Sequence, residues 1–381
     1  TTGKEKFGSP LLIRAALRGK GYDNVNGIVS FHAQTQNQRA ALLLLHGVIY
    51  VTWGAFGDTD PYHGWVIGYA YNAAGFHQLI ASVYNDTLNG SEGGIWMGGS
   101  GPAADASNNL YLSTGNGDAN IGNGGTEASD SFIKLNTTIG LRVSDYFSPY
   151  NHVCLDGRDA DLGSGGVIAL PDQPGTAHPH LLVSSGKEGR VYVIDRDHMG
   201  KYTNDPNLQC DGADAMRTDV DKVVQELAPS VGGSVFGVGG YWSGSASSGQ
   251  MIYIGGYNDH LKAFQLKNDL LSSAAVSQSS EIFAFSGATP SISSNGSQPG
   301  TGIVWISSPS SCSDPGCQPA GPGALRAYDA TNLNVELYNS EQNPARDELD
   351  SYIKFGVPTI ADGHVFVGTQ TSLTIYGLLN Q

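Results

Sequence analysis

Leu181-Leu182-Val183-Ser184-Ser185-Gly186-Lys187-Glu188-Gly189-Arg190-Val191-Tyr192-Val193-Ile194-Asp195-Arg196 is the stretch on which the fold turns. Two short apolar runs, rich in β-branched and aromatic residues, flank a turn bounded by Gly186 and Gly189, which is the pattern of a buried antiparallel strand pair. The unit recurs along the chain. Residues 43–53 pair with 65–71, 110–114 with 131–135, 181–185 with 190–194, 251–255 with 261–265, 303–307 with 324–328, and 365–368 with 373–376. Their spacing, roughly 50 to 70 residues, is that of four-stranded propeller blades with elaborated loops. The expected fold is an all-β β-propeller of six to eight blades, a single domain over residues 1–381. The only helical turn expected is at 219–227, with 271–298 running as a surface connection.

Composition agrees with this. The 381 residues include 52 glycines, and only 14% are charged, which suits short strands and tight turns. A net charge of -15 repels phosphate backbones and anionic lipid, so nucleic acid is excluded as a partner. The most apolar run, 41–56, is interrupted by His46, Gly47 and Gly54 and is too short for a membrane span, so none is expected. Oligomeric state is not legible. Cys312 and Cys317 flank a Pro-Gly turn and are expected to form a loop-closing disulfide, while Cys154 and Cys210 either form a second bridge or remain thiols. The sequons at Asn85, Asn89, Asn136 and Asn295 fit a glycoprotein. Together these features point to a secreted or otherwise extracytoplasmic chain. Its start at Thr1, with no initiating methionine, is expected to mark a mature or truncated form.

Three stretches carry chemistry in a fixed order. The first is Gly93-Gly94-Ile95-Trp96-Met97-Gly98-Gly99 with Ala103-Ala104-Asp105 after it, and the second is Tyr111-Leu112-Ser113-Thr114-Gly115-Asn116-Gly117. The third is the Gly186-Lys187-Glu188-Gly189 turn with its Tyr192 and Asp195-Arg196. This series resembles the quinoprotein alcohol dehydrogenases, the eight-bladed propellers that depend on pyrroloquinoline quinone (PQQ), and the resemblance spans most of the chain. It implies a PQQ- and Ca²⁺-dependent dehydrogenase oxidising alcohols or sugars, in which a base takes the hydroxyl proton and a metal-polarised quinone receives hydride. Under it, Trp96 matches the tryptophan on which the quinone lies, and Asn116 matches an amide ligand of Ca²⁺. Lys187 matches the cation that hydrogen-bonds the quinone oxygens, and Asp161 the catalytic base. Asp161 and Asp60, with Asp58, are the carboxylates at hand for the metal. Two departures stand out: Ala160 precedes Asp161 where the family has tryptophan, and 54–64 holds Asp58 and Asp60 where the family has a glutamate ligand.

Plainer readings stand beside each residue. Trp96 suits blade packing, Asn116-Gly117 a hairpin turn, Lys187 a solvated turn, and Asp161 beside Arg158 and Asp159 a surface charge cluster. The alternative function is therefore a non-catalytic propeller of the same lineage that binds carbohydrate or protein. A third class, a glycan-cleaving hydrolase or lyase, would take paired carboxylates from Asp58, Asp60, Asp118 and Asp161. A transition-metal site from His63, His178 and His180 is weaker, because histidines near strands are more often hydrogen-bonded structural residues.

Overall fold

The structure is a computed structural model and describes residues 3–211, 214–228, 230–310 and 321–378. Among the described residues it is all-β, with six meander sheets of the propeller-blade kind and a two-stranded sheet of Ala16–Arg18 with Ile28–Ser30, and with helices confined to single turns such as His152–Asp156. The chain divides into two compact units, 1–169 with 197–222, and 170–196 with 223–381.

The first unit holds two blades. One runs Gln36–Asn37, Val48–Ala55, Trp65–Asn72 and Gly75–Asn85, with Leu43–Leu45 also on Val48–Ala55. The other runs Ala103–Ala104, Asn109–Ser113, Phe132–Asn136 and Arg142–Ser148, and Lys201–Tyr202 adds in parallel to its outer edge. Val29, Trp53, Trp65, Ile67 and Tyr69 form the core beneath the first blade. Cys154 and Cys210 are joined in a disulfide across 56 residues, which settles the choice left open by the sequence. Cys312 and Cys317 lie outside the described residues.

The second unit holds the other four sheets, among them the hairpin Leu181–Ser185 with Val191–Asp195, paired Val183 to Val193. The Gln250–Gly255 and Asp259–Lys267 pair, the Ile303–Pro309 and Gly323–Asp329 pair, and the His364–Gly368 and Leu373–Tyr376 pair follow. Trp242, Tyr253, Phe283, Val304 and Tyr328 form part of its core. Among the described residues no helix is long and apolar enough to cross a membrane.

All six expected strand pairs form, and three expectations are corrected. Residues 43–53 are two strands, because His46 and Gly47 have φ of 49° and 80°, the left-handed pair that a two-residue hairpin turn requires. Residues 219–227 contain no helical turn. Gln225–Leu227 instead pairs with Val191–Asp195, where the open edge of that hairpin offers backbone partners that an isolated turn of helix lacks. Residues 271–298 contribute Ser277–Phe283 and Ser291–Ser293 to two sheets. Serine tolerates the interior here because its hydroxyl is satisfied: buried Ser279 accepts from the Leu261 N–H at 3.0 Å and donates to the Glu281 carbonyl at 2.9 Å.

Candidate functional site

Trp96 is the centre of the candidate site, and glycines make its seat. The Ile95 N–H donates to the Trp53 carbonyl at 3.2 Å, pinning 93–97 to the end of strand Val48–Ala55. A Cβ on Gly54 would fall 2.7 Å from the indole Cε3, one on Gly94 2.8 Å from Cε2, and one on Gly115 2.6 Å from Nε1. Backbone therefore touches the ring where any side chain would collide with it, and Trp96 is left 6% exposed. The Arg39 guanidinium lies over the ring, its Cζ 5.1 Å from the centroid, and Tyr62 leans on it at 6.0 Å. Burial lowers the Arg39 pKa, against the opposing pull of the Asp161 and Asp58 carboxylates.

Carboxylates surround this stack. The Asp161 Oδ1, on a side chain 7% exposed, accepts from the Asn116 N–H at 2.9 Å. The Asn116 amide donates to Asp159 at 3.1 Å, and the Gly117 N–H donates to Asp156 at 3.0 Å. Asp60 accepts from the Tyr22 hydroxyl at 2.5 Å, and Asp118 from Ser91 at 2.9 Å. Burial first, and then Asp60, Asp156, Asp58 and Asp118, raise the Glu92 carboxyl above its ordinary value. Burial also raises the Tyr62 phenol, with Glu92, Asp58 and Asp161 adding to it. The result is a dense negative field around the Arg39 guanidinium over the Trp96 face.

The residues singled out in the sequence divide between the two units. Trp96, Asn116, Asp161, Asp58 and Asp60 belong to the first, whereas Lys187 lies in the second, half-buried in the turn closed by the Gly189 N–H to the Gly186 carbonyl. Arg39, Glu92 and Asp156 are additions that no motif marked, and Tyr62 joins them on the ring. The histidines sit in separate settings. His63 is fully buried and bridges Thr87 at 2.8 Å and Asp23 at 3.0 Å, and Asp23 also holds His32 at 2.9 Å. His178 bonds to Asp269 at 2.8 Å. Among the sequons, Asn85 is 5% exposed at a strand end and its Oδ1 accepts from the Thr87 N–H. Asn89 bonds to Thr126 and Glu127, Asn136 sits in a strand beside Asn109, and Asn295 lies in an exposed turn.

A planar quinone does not fit on Trp96 while Arg39 is in place. Glycine backbone packs against the indole and Arg39 covers it, so a second ring needs the guanidinium to leave. The charge a calcium ion would bring beside Asp161 and Asp58 is already supplied by Arg39. Among the described residues no group of three or more His, Cys, Asp or Glu side chains is disposed to hold a metal ion.

No family model and no curated protein matches the sequence. Solved structures similar to the chain include Sqt1 of Chaetomium thermophilum, at 12% identity and a TM-score of 0.44 over 84% of this chain and 64% of that one. Sqt1 of Saccharomyces cerevisiae follows at 10% identity and 0.46 over 88% and 69%. A candidate 6-phosphogluconolactonase of Bacteroides uniformis ATCC 8492 is similar at 10% identity and 0.45 over 95% and 91%. The chain thus spans about two thirds of the length of the Sqt1 structures.

Proposed function

We propose that the chain is an exported propeller of the quinoprotein lineage that binds a ligand at the Trp96 face of its first unit rather than oxidising alcohols there. The observation that carries this reading is Arg39: the indole that would stack a quinone already stacks a guanidinium, held beside Asp58 and Asp161. With Arg39 resident over the ring, the space a quinone would take is occupied and the charge its calcium would bring is already supplied. The Cys154–Cys210 disulfide agrees with an oxidising compartment.

The dehydrogenase reading is favoured by Asn116, whose Oδ1 is buried without a hydrogen-bond partner and so resembles a ligand oxygen awaiting a cation. If a cofactor were bound, it would supply the hydride acceptor, and Asp161 would hold the proton. Titrating PQQ with excess Ca²⁺ and following dye reduction with a panel of alcohols and aldoses decides between the two. No dye reduction is expected at micromolar PQQ. Saturable reduction that disappears in Asp161→Asn would overturn the binding reading.

A further inference from the structure

The geometry points to the Trp96 face as a guanidinium site with Arg39 as its resident occupant, and we propose that its external ligand is a basic peptide, one arginine of which takes the place of Arg39 on the ring. This rests on the binding reading above. Three observations carry it. First, the site already demonstrates its chemistry: a guanidinium 5.1 Å above an indole, with carboxylates of Asp58 and Asp161 near it, is the full recognition set for arginine.

Second, the resident is placed to leave. Arg39 sits outside regular structure, between strands Gln36–Asn37 and Leu43–Leu45, and is half-buried. The Ala41 N–H to Ser100 carbonyl bond of 2.7 Å anchors the backbone just beyond it, so the side chain can swing away while the ladder on either side persists. Third, the pocket retains unspent bonding capacity. The Trp96 Nε1 is buried without a hydrogen-bond partner, and it converges with Asp161 Oδ1 over Gly115, where a single Cβ would meet both, at 2.6 and 2.2 Å.

Charge selects the rest of the ligand. Asp58, Asp60, Asp118, Asp156 and Asp159 are exposed, and the whole chain carries a net charge of -15, so an acidic or phosphorylated ligand is repelled and a basic one is drawn in. Arginine is preferred to lysine because a planar guanidinium stacks, whereas an ammonium is a compact, strongly hydrated point charge.

Isothermal titration of the full chain with acetyl-Gly-Arg-Gly-amide, and with the norleucine peptide as neutral control, tests the proposal. Wild type is expected to bind the arginine peptide and not the control, and Arg39→Ala to bind it about tenfold more tightly because the competing occupant is gone. Equal binding of the two peptides, or no gain in Arg39→Ala, overturns the proposal. Should that variant not fold, Asp58→Asn serves, since Asp58 is exposed; a severalfold loss of arginine-peptide affinity is expected, and unchanged affinity overturns the proposal. PQQ titrated into the same wild-type sample separates the two levels. PQQ-dependent dye reduction defeats the binding reading itself, whereas an inert PQQ with no peptide binding defeats only the choice of ligand.

Discussion

At the scale of single residues, the site is a negotiation between one cation and many carboxylates. Glu92 shows the strain most plainly, because burial and four aspartates raise its pKa above the unfolded value. Such a group contributes stability below its unfolded pKa and loses it as pH rises through the folded one. Glu92→Gln should therefore melt at a higher temperature than wild type at about pH 7, with the gap closing towards about pH 4, where an ordinary glutamate is largely protonated. A gap that stays constant across a calorimetric pH series would refute this. Gly115 makes the complementary steric point. Gly115→Ala places its Cβ 2.2 Å from Asp161 Oδ1 and should destabilise the chain by about 1–3 kcal/mol in urea unfolding, the usual cost of overpacking. The sequence showed Trp96, Asn116 and Asp161, because their glycine-rich surroundings stand out. It could not show Arg39, which lies in the polar stretch 34–39 with no motif and acquires meaning only when the connection at 38–42 carries it over the indole.

At the scale of elements, pairing decided more than propensity. Five of the six strand pairs were legible because they are buried on both faces for most of their length and so read as apolar runs, while the sixth, His364–Gly368 with Leu373–Tyr376, alternates more and less buried residues. What escaped were strands made by their partners: Gln225–Leu227, polar in sequence, and the serine-rich Ser277–Phe283 become strands because a neighbouring edge supplies hydrogen bonds. The His46-Gly47 turn was hidden inside an apolar run, its signal being backbone conformation rather than polarity. The Cys154–Cys210 bridge ties the turn His152–Asp156 to the 197–222 segment of the first unit. Closing 56 residues constrains the unfolded chain, and replacing both cysteines by serine should lower stability by about 4 kcal/mol on the chain-entropy model. Guanidinium unfolding of the double variant checks this, and a loss under about 1 kcal/mol would show that the bridge carries little of the unit's stability.

For the whole molecule, the relevant quantity is charge. A net -15 with exposed carboxylates around one aromatic face gives long-range attraction for cations, so the association rate of a basic peptide should fall as salt shortens the screening length from about 10 Å at 0.1 M to about 3 Å at 1 M. Stopped-flow measurement over that range should show a slowing association with a comparatively constant dissociation rate, and a salt-independent association rate would contradict electrostatic steering. The overall fold class was accessible from repetition alone. Function was not, since a propeller supports many activities and the choice here depends on what lies over a single ring.

That contact can be observed directly. With Arg39 assigned through the loss of its side-chain signal in Arg39→Lys, a nitrogen-15 spectrum of the full chain reports whether its Nε–H lies above the indole. An upfield ring-current shift of that resonance, vanishing in Trp96→Leu, is expected. A resonance at the position of a solvated arginine, unchanged by the loss of Trp96, would contradict it and return the indole face to a planar cofactor.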